Sequence, residues 1–449
     1  MLEIRNLGFK AFALSMVTVL GMLAMPVTAR AQTLPFIDKD IHMGVATCAG
    51  STCHGAVEPL SGIGILQNEF ITWQRHDKHA KAYQVLLSER SKRIARNLGL
   101  EAAHTAPLCL DCHADNVPAE RQHRTFQLSD GVTCEACHGG AGRWIGTHIS
   151  ASATHQVNVE NGLYPSADPI SRAKLCLSCH FGDETRFVTH RIMGAGHPRM
   201  SFELDTFTAI QPAHFVADAD YRQRKGAWNG VQIWAIGQAM SLDILLDALV
   251  DPVRGRDGIF PEFVLFDCYS CHHRMSNLRW EARDSVGLGP GIPRISDANM
   301  LMLRVISKQV DEALGNEFAQ RSVALNKSTR QGSYGEMLDA AKALKKVVNK
   351  LMEKFADHSF GKSDMQALLS GVVASGLAGE YQDYPGAEQA TMALGAIVEA
   401  MFKSGDIDSG QFNALNTALE QCYAAVEKDE EYTSATFVAA LNQFKAAMP

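Results

Sequence analysis

The stretch Gly131-Val-Thr-Cys134-Glu-Ala-Cys137-His138-Gly139 contains a pattern that recurs through the first two-thirds of this chain. In each regular copy, two residues separate two cysteines and a histidine follows directly. The other regular copies are Cys109-Leu-Asp-Cys112-His113, Cys176-Leu-Ser-Cys179-His180 and Cys268-Tyr-Ser-Cys271-His272. The first copy is longer, Cys48-Ala-Gly-Ser-Thr-Cys53-His54. Numbered motif one to motif five along the chain, the copies use ten of the eleven cysteines.

The C-x-x-C-H pattern is typical of covalent attachment of c-type haem. The two thiols form thioethers with the porphyrin, and the next histidine is the proximal ligand of iron. Zinc binding and disulfides are the rival interpretations, but neither gives a reason for a histidine after each second cysteine. We therefore expect five haem c groups. For motif one, whose loop is wider, a Cys48–Cys53 disulfide stays open as the alternative.

Residues 1–31 are typical of a secretory signal peptide. Arg5 and Lys10 make the start basic, residues 11–25 are largely apolar, and Ala29-Arg30-Ala31 is a small-x-small cleavage site. A relaxed membrane span needs about 20 apolar residues, more than this stretch has, although an uncleaved anchor is the alternative. Covalent haem attachment takes place outside the cytoplasmic membrane in bacteria, so we predict a periplasmic protein. We expect no later stretch to be apolar enough to span a membrane.

Charge adds little to this interpretation. The formal net charge is −7, and the chain has no long basic run that would indicate a nucleic-acid partner. A mildly acidic surface is compatible with a basic redox partner. Redox proteins are therefore the expected partners.

The cysteines and histidines divide the chain into two parts. Residues 32–290 hold all five motifs and sixteen of the seventeen histidines. The stretch Gly287-Leu-Gly-Pro-Gly-Ile-Pro293 is typical of a linker or tight loop. Residues 296–449 show helical periodicity and no cofactor motif, which predicts a bundle of four to six helices. The expected fold class is mainly α, a multihaem domain with little regular sheet followed by the bundle.

The periodic segments predict individual helices. They cover residues 70–89, 225–250, 296–320, 334–356, 363–381, 385–404, 409–428 and 434–447. The helix over 225–250 is expected to pack against haem or the second domain. Cys422 is expected to pack as a small hydrophobe rather than to pair with another chain. The bundle is expected to dock a partner or a second copy of this chain.

The second axial position of each haem determines its chemistry. A second histidine gives a closed electron-transfer centre, whereas an open position admits a substrate. Eleven histidines other than the motif ones lie in residues 32–290, which favours mostly bis-histidine ligation. The preferred candidates are His79, His104, His148, His190 and His197. The methionine alternatives are Met193 and Met200, and His273 is expected to contact a propionate. Propionate partners or a solvated face are equal alternatives for Arg143, Arg186, Arg191, Arg199 and Arg274.

Three features resemble the cytochrome c-554 family over about residues 40–200. They are Trp73…His79-Ala-Lys-Ala-Tyr83, the run Gly131–Gly140, and the close second and third motifs. The resemblance implies stacked and perpendicular haem pairs that form an electron wire, with His148 reaching back to the first haem and His79 as another distal ligand. The longer motif one, motif five and residues 296–449 depart from the family pattern.

Two functions follow as hypotheses. The first is an electron carrier, because the spare histidines exceed the five that closed haems need, and it requires no catalytic residue. The second is a haem-based oxidoreductase for a small nitrogen or sulfur compound, with one open axial position. A sensor or scaffold whose output is the helical domain is a third, less favoured hypothesis.

Overall fold

The computed structural model describes residues 33–62, 65–256, 261–273, 283, 285–289 and 291–449. The predicted signal peptide, residues 1–31, lies outside these residues, and so does Arg274. The fold is mainly α, as predicted, and the described residues contain no strand, only the isolated bridges His42–Gln122 and Phe266–Ile295.

Short helices make up the part of the chain that carries the motifs. They are α1 Val45–Cys48, α2 Glu69–His76, α3 Ala82–Val85, α4 Glu89–Leu98, α5 Pro107–His113, α6 Cys134–His138, α7 Ile145–His148, α8 His155–Glu160, α9 Pro169–His180, α10 His190–Gly194, α11 Leu204–Ile210 and α12 Ala219–Lys225. Helices α5, α6 and α9 each end at a motif histidine and contain both cysteines of that motif. Because residues three apart share a helix face, each of these helices presents its two thiols on one side.

The single helix expected over residues 70–89 is not present. Helix α2 ends at His76, and Asp77 adopts an extended conformation. Its carboxylate accepts the backbone N–H of His79 and begins the 3-10 turn Lys78–Lys81. Ser88 caps α4 in the same way, by accepting the N–H of Ser91. Local capping therefore breaks a stretch whose periodicity alone predicted one helix.

Helix α13, Gly230–Val250, is the central helix of the molecule. It begins later than predicted because Gly226 has φ 91° and Asn229 caps the helix by accepting the N–H of Gln232. Contrary to expectation, the region Ala219–Val250 is long and apolar enough for a membrane span, but 78% of its apolar window is buried in the protein. Helix α13 packs against α9 and α11 as well as against later helices. A helix that is apolar on all sides is stable when neighbouring helices bury it in this way.

The later part of the chain consists of longer helices. They are α14 Ala298–Val310, α15 Glu312–Gln331, α16 Tyr334–Asp357, α17 Lys362–Leu377, α18 Tyr384–Lys403, α19 Ser409–Ala425 and α20 Ser434–Ala447. The helix predicted over 296–320 is two helices, because Asp311 has an extended backbone and accepts the N–H of Leu314 to cap α15. The bundle therefore has seven described helices rather than four to six. Cys422 is fully buried among its apolar residues, as predicted.

One large apolar core joins the two parts. It includes Ala173 and Leu177 of α9, most of α13, and residues from α14 to α20. Helix α13 packs against α14, α16 and α18. The predicted boundary between 290 and 296 stays a prediction, but α13 already belongs to the core of the later helices. A second, small cluster of Leu86, Ala95, Ala103, Leu110 and Ala114 lies where α3, α4 and α5 meet.

This packing predicts a large difference between two leucine truncations. Leu246→Ala in α13 removes a fully buried side chain and should lower the free energy of unfolding by about 2–5 kcal/mol. Leu87→Ala is the matched control, because Leu87 is 45% exposed and should change stability by less than about 1 kcal/mol. Urea unfolding followed by circular dichroism measures both, and equal losses would contradict the core assigned to α13.

Candidate haem sites

Each of the five motif histidines faces one other histidine. The pairs are His54–His148, His180–His79, His113–His197, His138–His214 and His272–His190. The two ring centroids in a pair are 5.9–6.5 Å apart. In every pair the partner comes from a different part of the chain from the motif.

The spacing of these rings fits two imidazoles on one metal ion. An imidazole nitrogen lies about 2 Å from the metal it binds. The centre of the ring is roughly 1.1 Å further away, so two imidazoles on opposite sides of one ion have centroids about 6.3 Å apart. All five pairs lie within half an ångström of this separation. The histidines therefore fit the axial positions of five haem irons.

The pairs differ in the angle between their ring planes. The planes of His54 and His148 are 16° apart, and those of His190 and His272 are 31° apart. In the other three pairs the angles lie between 80° and 89°. The structure thus contains two nearly parallel pairs and three nearly perpendicular ones.

Hydrogen bonds that Nδ1 donates orient several of these rings. The Nδ1 atom of His54 is 2.9 Å from Glu69 Oε2, and that of His79 is 2.8 Å from Asp77 Oδ1. Backbone carbonyls accept from His113 at 3.2 Å and from His197 at 2.8 Å. A hydrogen bond of this kind fixes the tautomer and leaves Nε2 free to bind a metal.

Burial and hydrogen bonds set the charge of these groups. Burial lowers the pKa of His138 to about 3 and that of His180 to about 4, so both rings are neutral, the form that binds a metal. The hydrogen bond that His79 donates to Asp77 raises the pKa of His79. Burial opposes ionisation of Asp77, but the hydrogen bonds from His79 and Gln211 outweigh it and lower the pKa of Asp77 to about 2.

The positions of the motif cysteines show which motifs lie next to each other in space. Cys48 of motif one lies close to Cys134 of motif three, and Cys112 of motif two lies close to Cys179 of motif four. Motifs one and three therefore adjoin, as do motifs two and four, although they are not consecutive in the sequence.

Four of the five preferred distal histidines lie opposite motif histidines. These are His79, His148, His190 and His197. His148 lies opposite His54 of motif one, which agrees with the arrangement implied by the resemblance. Histidines occupy all five positions opposite the motif histidines, so the structure does not place Met193 or Met200 there.

His104 is the preferred candidate that the structure does not bring to a motif histidine. It lies in the turn before α5, and its ring meets Tyr83 edge-on at 6.5 Å. The residue opposite His138 is instead His214, in the loop between α11 and α12. His214 was one of the eleven spare histidines, but no helix or glycine-rich turn marked it. Only the return of this loop to motif three brings the two rings together.

The arginines expected near haem propionates differ in their surroundings. Arg143 is paired with Asp40, and Arg199 with Glu388 of α18 at 3.0 Å. Arg186 is buried, 3.0 Å from Cys179 Sγ, and lies over the ring of Phe36. Among the described residues no carboxylate forms an ion pair with Arg186. Of these arginines, it has the most suitable surroundings for a haem propionate.

A buried group of His42, Asp115 and Glu135 has ligand atoms close enough to hold a metal ion. Hydrogen bonds already use the carboxylate oxygens and His42 Nδ1, whereas the buried His42 Nε2 has no partner among the described residues. Both oxygens of Glu135 accept backbone N–H groups, from Met43, Gly44 and Ala141. Asp115 accepts from His42 at 2.9 Å and from Thr133 at 2.7 Å. We interpret the group as a network that ties the segment before motif one to motif three.

Cysteine pairs followed by a histidine that faces a second histidine are the donor set of a c-type cytochrome. Residues 47–139, which contain motifs one to three from Cys48 onward, match the family model described as cytochrome c554 and c-prime. The match confirms the predicted resemblance in this segment and implies covalently bound haem c and electron transfer. No curated protein and no solved structure matches the chain.

The pairing predicts different results for two histidine substitutions. His214→Ala should leave the haem of motif three with an open axial position, because its ring is the one that faces His138. The oxidised protein should then gain one high-spin haem signal in electron paramagnetic resonance. His104→Ala is the matched control and should leave the spectrum unchanged. A high-spin signal in the His104 variant and none in the His214 variant would contradict the pairing.

Proposed function

We propose that the protein is a periplasmic electron carrier with five haem c groups, each with two axial histidines. The observation that supports this most strongly is that every motif histidine faces a second histidine at the spacing of two axial ligands. Such ligation stays the same in both oxidation states, so little rearrangement accompanies electron transfer. Export is proposed from the signal-like residues 1–31 and from the place of haem attachment.

The facing histidines favour a carrier over an oxidoreductase. A substrate that binds iron needs an open axial position. In this chain it would have to displace a histidine, and at motif four that histidine is His79, held through Nδ1 by the buried Asp77. The oxidoreductase for a small nitrogen or sulfur compound therefore stays the alternative and not the preferred function.

Contacts between motifs suggest the order in which electrons pass. Motif one adjoins motif three through Cys48 and Cys134. Cys137 of motif three lies near Cys176 and Cys179 of motif four. Motif four adjoins motif two, and His190, ten residues beyond His180, faces His272 of motif five. We propose a path from motif one through three to four, with branches to motifs two and five.

We further propose that the later helices hold the site of motif five. The Tyr269 hydroxyl, inside this motif, donates to the carbonyl of Tyr432 at 3.1 Å. Arg294, in the segment before α14, pairs with Asp267, directly before the motif, at 3.0 Å. These contacts give the helical part a role in positioning a cofactor. Docking of a partner or of a second copy of this chain through the same helices stays an additional proposal.

A basic surface on α2 to α4 is proposed as the docking site of an acidic redox partner. Its exposed cationic residues are Arg75, Lys78, Lys81, Arg90, Lys92, Arg93 and Arg96. The same stretch has one exposed carboxylate, Glu89, in a chain whose net charge is −7. Val85 and Leu108 are 50% and 43% exposed, and Leu108 directly precedes Cys109 of motif two. Exposed apolar residues next to a haem motif, surrounded by charged residues, are compatible with a transient interface between redox proteins.

Haem stoichiometry and ligand binding test the proposed carrier. The mass of the exported protein should equal the cleaved chain plus five haems. The absorption spectrum of the oxidised protein should be low-spin and unchanged by cyanide, because no axial position is open. A high-spin band that shifts when cyanide is added would favour the oxidoreductase instead. If the protein contains four haems and a Cys48–Cys53 disulfide, the proposed number of haems is wrong but the proposed function is unaffected.

Charge reversal tests the basic surface. The variant Lys78→Glu, Lys81→Glu, Arg93→Glu should be oxidised by ferricyanide about tenfold more slowly at low salt, because the anion is no longer attracted. The control, Lys342→Glu, Lys346→Glu, Lys350→Glu on α16, changes the net charge equally and should slow the reaction much less. Stopped-flow absorbance measures both rates. Equal slowing would show that overall charge, not this surface, controls the reaction.

A further inference from the structure

A buried cluster of charges lies beside motif five. It contains the carboxylates of Asp267, Asp297 and Asp383 and the guanidinium groups of Arg283 and Arg294. The three carboxylates are at most 5% exposed and the two guanidinium groups at most 15%. When all five groups are ionised, this cluster has one more negative than positive charge. A buried charge without a partner raises the free energy of the folded protein. The excess negative charge therefore favours binding of one proton.

The ion pairs show which carboxylate is least compensated. Asp297 and Asp383 each contact both arginines, and Asp383 also accepts the backbone N–H of Gly386. Asp267 contacts only Arg294 in this cluster, at 3.0 Å. Burial accordingly raises the pKa of Asp267 to about 7, whereas the two arginines outweigh burial and lower the pKa of Asp297.

Asp267 is also the member of the cluster joined directly to the haem motif. It precedes Cys268 in the chain, and its carboxylate accepts the Ser270 hydroxyl at 2.9 Å and the Tyr269 N–H at 3.4 Å. A cavity of about 60 Å³ is lined by Asp267, Ser270, His273 and Arg294, among others. This space is larger than one water molecule needs, so a proton can reach the carboxylate through water.

We propose that Asp267 binds a proton when the haem of motif five is reduced and releases it on oxidation. One electron from a redox partner converts the ferric iron to ferrous iron, and one proton from water converts the Asp267 carboxylate to the acid. Reduction removes one positive charge near the carboxylate, so its ionised form loses stabilisation, and by linkage a protonated Asp267 favours the reduced haem. The inference rests on the proposed function, because it requires haem c at Cys268 and Cys271.

Several other titratable groups face Asp267 or the cavity beside it. Among the described residues they are Arg294 and Asp297 from the segment before α14, Arg283, Asp383 before α18, and Tyr269 and His273 from the motif itself. The two arginines stay charged throughout the neutral range. Asp297 and Asp383 each contact both of these arginines, which compensates their negative charge. Asp267 is therefore the carboxylate whose protonation can change with the oxidation state of the haem.

Redox titrations of the haem-loaded protein between pH 5.5 and 8.5, roughly centred on neutrality, test this inference. In the wild-type protein one midpoint potential should fall as pH rises, with a slope approaching about 59 mV per pH unit for one proton per electron. Asp267→Asn should make that potential independent of pH. The control Asp429→Asn removes an exposed carboxylate that also acts on Cys268 and should leave the slope in place.

Infrared difference spectroscopy gives a second readout that uses the wild-type protein. Reduction should produce the carbonyl band of a protonated carboxylic acid, shifted in heavy water and missing in Asp267→Asn. Five low-spin haems with potentials that do not change with pH would overturn the inference and leave the proposed function intact. A pH-dependent potential or an acid band that persists in Asp267→Asn would also overturn it. Loss of the fifth haem from the wild-type protein would instead count against the proposed function.

Discussion

The pairing of each motif histidine with a histidine from elsewhere in the chain is the constraint on which the haem-motif part depends. The regular helices here are short, and apart from the large shared core the described residues form only a small cluster around Leu110. Side chains alone therefore supply little packing around motifs one to three. Two axial ligands per iron would connect distant segments, such as those of His54 and His148, through metal–nitrogen bonds. The cofactors then act as the core that these segments lack.

The later helices are stabilised differently, by an extended apolar core that also includes α13 and part of α9. The two kinds of organisation meet at motif four, which lies on α9, and at motif five, which is held by the charge cluster around Arg294. For the proposed electron carrier, this junction gives a role to the large helical part, which contains no cofactor motif. Under the proposed function, its helices would position the last haem site and surround it with buried ionisable groups.

Sequence patterns predicted the features that are local and repetitive. The C-x-x-C-H motifs, the mainly α fold and the helices from α16 to α20 all follow from spacing and periodicity. The breaks at Asp77 and Asp311 were missed because one carboxylate that accepts a backbone N–H outweighs an unbroken helical pattern. His214 was not preferred over His104 because its position depends on how a loop returns to motif three. Contacts between distant segments leave no periodic signal in a single sequence.

The central claim is that five histidine pairs with two kinds of ring orientation bind five haem irons. Parallel imidazoles interact with the same iron d orbital and split the d levels, whereas perpendicular imidazoles leave two d orbitals nearly equal in energy. Electron paramagnetic resonance of the oxidised protein separates these cases. The structure predicts two rhombic low-spin signals, from His54–His148 and His190–His272, and three strongly anisotropic low-spin signals from the other pairs. A high-spin signal, or five signals of one kind, would contradict it.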